Sequence, residues 1–267
     1  MQGRIFFEDN PWPEGHAVKE LDFSCHLFPN RVDLLLHLVS EDYYKTRDIV
    51  TEDEAGNLLP EFEDVPEWQH PDSWYNYHAC TLSNTNWGID VRTPINEEGV
   101  PFSTQFLSGK PLIFNPVKTG ENGMGDPDHE WDSDSQAFGI YLRGHDAVAN
   151  HKITFSAQEN GLLSLDWTGL VANAYIGQTQ FEHKFKCEAQ DVPFLGYQCS
   201  LMKDEVRREA ETVPPVAIRE AYHRENASRL IENADALNFH PRTKPSGTDW
   251  LSELPERPCA WPIKESD

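Results

Sequence analysis

The stretch FEHKFKCE, residues 181–188, is the clearest structural signal in the chain. Its odd-numbered positions are apolar or histidine and its even-numbered positions are charged. This period-two alternation is typical of a strand with one face buried and the other in water. We therefore expect His183 on the core face, with its ring nitrogens hydrogen-bonded, because an unpaired polar group is costly there.

Further strand-like runs lie on both sides of this stretch. Residues 32–39 are almost continuously apolar, as in a strand buried on both faces, and Asn160-Gly161 is a hairpin-turn sequence. The pattern predicts β-structure over residues 20–28, 32–39, 77–82, 138–145, 151–157, 162–176 and 181–188. Few helical segments separate these runs, which favours antiparallel sheets.

The C-terminal part of the chain has a different pattern. Residues 201–212 are rich in helix formers, residues 215–236 carry apolar residues at helical spacing, and the last thirty residues contain five prolines. We expect a mainly β fold: an antiparallel β-sandwich or open barrel over residues 1–200, with one or two C-terminal helices and an extended proline-rich tail over 201–267. The helices are expected to pack on the sheet, giving a single domain overall.

The charge balance excludes some functions. The 267 residues carry a formal charge of −23, which argues against sequence-independent binding to nucleic acid or to anionic membranes. No run of eighteen apolar residues is present, and the N-terminal residues lack the pattern of a secretory signal. Five scattered cysteines contain no C-x-x-C pair. These observations predict an acidic, soluble, cytoplasmic protein.

The acidic segment, which we define as residues 41–72, contains eleven acidic residues and three prolines. It is expected to be a long solvated loop between strands. Its carboxylates could form an acidic face for a basic protein partner, and the residues predicted to form that face are Glu61, Glu63, Asp64 and Glu67.

A set of aromatic residues is interleaved with proline, asparagine and aspartate. Tryptophan and tyrosine in polar surroundings suit stacking on a sugar or anchoring of a partner, although they also cover the ends of β-folds. The candidate ligand-binding residues are Trp68, Trp74, Tyr75, Trp87 and Trp131.

Metal binding is the remaining chemical candidate. His145 and Asp146 end one predicted strand and His151 begins the next, so the three could meet across a turn as metal ligands. The stretch 121–134 alternates five carboxylates and could bind calcium, but Trp131 stands where an EF-hand loop needs glycine. A solvated acidic loop is the alternative, and we expect no cofactor, with a divalent metal as the exception.

Catalytic motifs are missing from the sequence. There is no G-x-S-x-G elbow, phosphate-binding loop, zincin helix or dinucleotide-binding glycine pattern. The leading hypothesis is therefore a non-enzymatic binding protein that presents loop aromatics and the acidic segment to a protein partner. The alternatives are a metal-dependent enzyme with a histidine/aspartate site on one sheet face and a carbohydrate-binding module that uses the loop tryptophans.

Overall fold

The computed structural model describes residues 1–45, 47–85, 93–96, 100–120, 124–125, 136–200, 214–242 and 248–255. The chain divides into two compact units. The first unit is formed by Met1–Leu21, Leu36–Val91 and Leu107–Val192, and the second by Asp22–Leu35, Arg92–Phe106 and Pro193–Asp267. This division does not follow the sequence-based boundary at residue 200. The expectation of a single domain stays a prediction.

The largest sheet closes into an antiparallel β-barrel, most of whose residues belong to the first unit. The strands that build it are β1 Gln2–Phe7, β2 His16–Leu27, β3 Val32–Ser40, β4 Thr81–Ser83, β5 Pro111–Phe114, β6 Gly139–Tyr141, β7 His145–Ala157, β8 Leu163–Ala172 and β9 His183–Val192. The order β1-β9-β8-β7-β6-β4-β3-β2 returns to β1 and closes a barrel of eight strands, while β5 pairs with β7 outside this path.

The mainly β class is confirmed, but the sheet closes where the sequence predicted a sandwich or an open barrel. Closure depends on β1, which the sequence did not predict. Its residues pair with β9 along their whole length, and Arg4 and Ile5 also pair with Ala17 and His16 of β2. A strand that bonds to both neighbours removes the two free edges of the sheet.

The alternation in residues 181–188 is realised in β9. Phe185, Cys187 and Ala189 are buried, and the lysines and glutamate between them are half-buried or exposed. His183 is half-buried, and its Nε2 accepts a hydrogen bond from Asn173 Nδ2 at 3.1 Å. The predicted face and hydrogen bond are present, although the side chain is less buried than expected.

The turn between β7 and β8 is the predicted hairpin. Gly161 has φ +79°, in the left-handed region that favours glycine, and Leu162 N donates to Asn160 Oδ1 at 3.0 Å. Other strand bounds differ from the prediction. Residues 77–80 precede β4, and the predicted strand 162–176 ends at Ala172 because a 3-10 helix, Ala174–Ile176, follows.

The second unit combines a small sheet with helices. Strand β10 Phe194–Cys199 pairs in parallel with the Phe23–Leu27 part of β2 and antiparallel with β12 Asp249–Ser252, which in turn pairs with β11 Asn238–His240. Short helix α1 is Thr104–Leu107, and α2 is Val216–Leu230. The predicted helix 215–236 is therefore shorter, and the predicted helix 201–212 lies outside the described residues.

Helix α2 buries a polar face, which reverses the predicted orientation. Arg219 and His223 are almost completely buried, whereas Ile218 is 60% exposed. The reason is Asp249 of β12, whose carboxylate accepts two bonds from Arg219, at 2.9 and 3.1 Å, and one from His223 Nε2 at 3.1 Å. Burial alone would raise the pKa of Asp249, but these bonds and that of Arg242 N hold it well below its usual value.

Asp249 and Trp250 also correct the expectation of an extended tail. Both side chains are buried in β12, so this part of the C-terminal region belongs to the sheet of the second unit. No helix in the described part of the chain is long and apolar enough to cross a membrane.

Replacing Arg219 by Met should lower the free energy of unfolding by about 3–5 kcal/mol, because it leaves Asp249 buried without its main counter-charge. Urea unfolding measures the loss. Arg229→Met, at an exposed position of the same helix, is the control and should change stability by less than about 1 kcal/mol. Equal stability of the two variants would contradict the role given to the Arg219–Asp249 pair.

Candidate functional site

The acidic segment follows β3 in the first unit, and its described residues form no strand. Three short 3-10 helices lie within it, at Tyr43–Lys45, Pro60–Phe62 and Glu67–Gln69, and a fourth, Pro71–Trp74, continues from it. Local hydrogen bonds fold the loop between them: Asp53 Oδ1 accepts from Ala55 N at 2.8 Å and from Asn57 N at 2.9 Å. The segment is a loop, as predicted, with a defined backbone.

Buried aromatic side chains attach this segment to the barrel. We call Trp12, Tyr43, Trp68 and Trp74 the aromatic anchor; each is at most 5% exposed. The ring centroid of Trp74 lies 5.0 Å from that of Trp68, 5.4 Å from Tyr43 and 5.8 Å from Trp12. Packing of this kind stabilises through both area burial and edge-to-face ring contacts.

The polar atoms of the anchor are hydrogen-bonded. Trp68 Nε1 donates to Glu8 O at 2.7 Å, Trp74 Nε1 to Trp68 O at 3.0 Å and the Tyr43 hydroxyl to Leu142 O at 3.2 Å. Burial raises the pKa of Tyr43 well above its ordinary value, so its hydroxyl stays protonated. The anchor therefore meets the requirement that buried polar groups have partners.

A buried arginine makes a second attachment. Arg143 lies between β6 and β7 with its side chain 7% exposed. Its Nε donates to Ser73 O at 3.2 Å, and its Nη2 forms an ion pair with Glu67. Asp146 fixes the turn, because its Oδ2 accepts from the backbone N of both Arg143 and Gly144 at 3.1 Å. Glu67 is thus tied to the barrel.

A small cavity of about 200 Å³ lies beside Arg143. Glu67, Asp72 and Asp146 contribute carboxylates to its lining, and Tyr175, which is 61% exposed, contributes an aromatic ring. The carboxylates outnumber the one arginine in this lining, so the cavity favours a cationic group over an anionic one.

Trp68 also stacks on His183. The ring centroids are 3.7 Å apart and the planes 3° from parallel. Burial, reinforced by the nearby Arg143 charge, lowers the pKa of His183 to about 4. The ring is therefore neutral at neutral pH, in agreement with its acceptance of the Asn173 hydrogen bond.

The predicted partner face is exposed. Glu61, Glu63 and Asp64 are solvent-exposed, and none of them forms an ion pair within the part of the chain that the structure describes. Glu67 differs because of its ion pair with Arg143. Three of the four predicted residues therefore carry uncompensated charge, and the fourth has a structural partner.

The predicted ligand-binding aromatics are divided. Trp68 and Trp74 lie in the aromatic anchor, facing other protein atoms. Tyr75 is 52% exposed and stacks on Tyr44 with ring centroids 5.1 Å apart. Trp87 and Trp131 lie outside the described residues.

The three predicted metal ligands do not come together. All lie on the same strand, because β7 begins at His145, so the turn expected between His145 and His151 is absent. His145 is exposed against Tyr141, whereas His151 is fully buried and its Nδ1 accepts from Trp167 Nε1 at 3.2 Å.

Within the described ranges, no group of three or more histidine, cysteine, aspartate or glutamate side chains could hold a metal ion. The predicted calcium loop, residues 121–134, lies outside those ranges except for Met124 and Gly125.

The cysteines are poor nucleophiles. Cys25, Cys80, Cys187 and Cys199 are free and buried, and burial raises the pKa of each thiol, that of Cys187 to about 12. A thiol must ionise to attack or to bind a metal, so these four are structural. Cys259 lies outside the described residues.

Arg143 is the site residue that sequence reasoning missed. The one available signal was a lone arginine beside glycine between two strand-like runs in a strongly acidic chain.

Comparisons of the chain with protein-family models, curated proteins and solved structures found no match.

Trp74→Ala should destabilise the protein by about 3–5 kcal/mol, as expected for a fully buried tryptophan whose removal leaves a cavity. Urea unfolding gives the value. Tyr75→Ala, next in sequence but exposed, is the control and should cost much less. Similar losses for the two variants would show that Trp74 does not anchor the segment.

The free energy of unfolding should depend on pH through the buried side chain of His151. Burial lowers the pKa of His151 to about 3, below the 6.5 of an unfolded histidine, so the unfolded chain binds more protons between these values. Above pH 6.5 the His151 ring is neutral in both the folded and the unfolded chain, so burying it carries no protonation penalty. Below pH 6.5 the unfolded chain takes up a proton that the folded chain does not, and the free energy of unfolding falls. His151→Gln should reduce this slope between pH 6 and 5 by up to about 1.4 kcal/mol per pH unit.

Urea unfolding at several pH values measures this slope. The exposed His145→Gln, on the same strand, should leave it unchanged. An equally steep loss in His151→Gln and the parent protein would contradict a buried neutral His151.

Proposed function

We propose that the protein is a non-enzymatic binding protein whose acidic segment receives the basic surface of a protein partner. The observation that carries the proposal is the exposure of Glu61, Glu63 and Asp64 on a segment that is attached to the barrel by buried, hydrogen-bonded aromatic side chains. A cytoplasmic location belongs to the same proposal.

Electrostatics supports this function. The three carboxylates add to a field already set by a net charge of −23. Uncompensated surface charge of one sign steers an oppositely charged partner and raises its association rate. Because Glu67 is held by Arg143, we assign it to positioning the segment and leave three residues in the recognition face.

Pre-organisation supports it as well. An acidic segment without fixed structure would lose conformational entropy on binding, and this loss weakens affinity. Here Trp68 of the aromatic anchor follows the recognition face by a few residues and is buried. Arg143 binds Glu67 and Ser73 O, which also follow that face in the chain. Much of the ordering cost is therefore met when the barrel folds.

The cavity beside Arg143 suits the same partner. Its three carboxylates and the exposed ring of Tyr175 match a lysine or arginine side chain, whose stem packs on the ring while its charge meets Asp72. Tyr75 is an exposed aromatic residue that can contribute to the contact, whereas a direct ligand role for Trp68 and Trp74 requires these buried side chains to move.

The metal-dependent enzyme has less support. Its proposed ligands lie at separate points on β7, and the described thiols are buried with raised pKa values. The carbohydrate-binding alternative gains support from a different part of the barrel, a groove on strands β1, β8 and β9.

The triple variant Glu61→Gln, Glu63→Gln, Asp64→Asn should bind a synthetic lysine- and arginine-rich peptide about tenfold more weakly than the parent at low salt, mainly through slower association. Surface plasmon resonance at two salt concentrations measures the rates. The difference should shrink as salt rises, since screening shortens the range of the charges.

The matched control removes the same charge elsewhere, with Glu159→Gln, Glu182→Gln and Glu225→Gln at exposed positions. It should bind the peptide nearly as the parent does. Equal weakening of both triple variants would mean that only net charge matters, and the acidic segment would lose its assigned role.

A further inference from the structure

The outer face of the barrel carries a larger groove, with a volume of about 690 Å³. Residues of strands β1, β8 and β9 form it, together with Asn150 of β7 and four residues that follow β1: Glu8, Asp9, Asn10 and Pro13. This volume is within the range of small-molecule sites in proteins. The acidic residues Glu61, Glu63 and Asp64 do not line it.

Gly15 shapes the groove. A Cβ on Gly15 would lie 2.5 Å from Phe6 Cδ1, and Gly15 has φ +66°. The half-buried ring of Phe6 therefore packs closely on the backbone at Gly15, and it also lines the open groove.

Polar side chains stand in rows beside that ring. Phe6 pairs across the sheet with Lys186, which pairs with Thr168, so these three side chains share one row on the outer face. In the neighbouring row, Lys184 Nζ lies 3.4 Å from Glu8 Oε2. The groove therefore offers an aromatic surface flanked by hydrogen-bond donors and acceptors.

The formal charges of the residues that line the groove sum to zero, since Lys184 and Lys186 match Glu8 and Asp9. Outside the lining, Glu188 Oε1 lies 2.5 Å from Lys186 Nζ, so neither lysine is unpaired. In a chain of charge −23, this neutral surface neither attracts cations as the acidic segment does nor offers unmatched lysines to an anion. The ligand that fits is uncharged and rich in hydrogen-bonding groups.

We propose that this groove binds a neutral oligosaccharide. The C–H face of a sugar ring packs on an aromatic side chain, and each hydroxyl both donates and accepts a hydrogen bond. Phe6 supplies the stacking surface, Thr168 and the two lysines supply donors, and Glu8 and Asp9 supply acceptors. The carboxylates of the proposed recognition face do not line this groove, so either proposal can fail alone.

The test is a titration of the ¹⁵N-labelled protein with cellotriose, xylotriose, maltotriose and chitotriose, followed by NMR. At least one should bind with a dissociation constant below about 1 mM and shift the amide signals of Phe6, Thr168 and Lys186. Thr168→Val keeps the shape of the side chain and removes its hydroxyl, and it should weaken that binding by about tenfold.

Thr154→Val makes the same exchange on neighbouring β7, outside the groove, and should leave affinity unchanged. Phe6→Leu should weaken binding with little loss of melting temperature, which separates lost stacking from misfolding. The proposal is overturned if none of the four sugars binds at about 10 mM. It is also overturned if Thr154→Val and Thr168→Val weaken binding equally.

Discussion

The burial of Trp74 between Trp12, Tyr43 and Trp68 is the contact on which the acidic segment depends. An exposed stretch with many like charges repels itself and gains little from hydrophobic burial. Here the aromatic side chains provide that burial, and the carboxylates stay at the surface. Arg143 adds a directional link, because a guanidinium bonds in fixed directions and ties Glu67 and Ser73 to one turn of the barrel.

Within the described residues, the buried charged groups have partners, whereas some carboxylates at the surface form no ion pair. Buried Arg143, Arg219 and Asp249 each meet a partner of opposite charge, as burial of an ion requires. Three other side chains, those of His16, His151 and His183, are kept neutral because burial lowers their pKa values, and each accepts a hydrogen bond from an amide or indole N–H. Uncompensated charge is thereby confined to the surface, where it can act on other molecules.

Local features of the fold were predictable from sequence, and long-range features were not. The alternation in residues 181–188 and the Asn160-Gly161 turn depend on neighbouring residues only, and both are confirmed. Closure by Gln2–Phe7 has no such signal, because the short stretch QGRIFF shows no clear alternation. For the candidate site, the solvent exposure of the acidic residues could be predicted from the composition of the acidic segment. Burial of Trp68 and the partner of Arg143 could not, since their hydrogen-bond partners lie 60 and 76 positions away in the sequence.

Native-state hydrogen exchange tests the central claim most directly, because a segment held ready for binding must keep its own backbone hydrogen bonds. The amides of Phe62, Gln69 and Ser73 donate to carbonyls within the segment at 2.9, 2.8 and 3.1 Å. We expect them to exchange well over tenfold more slowly than in an unstructured peptide, and to lose that protection in Trp74→Ala. Exchange at the unstructured rate in the parent protein would show that the acidic segment is not pre-organised and would contradict the account.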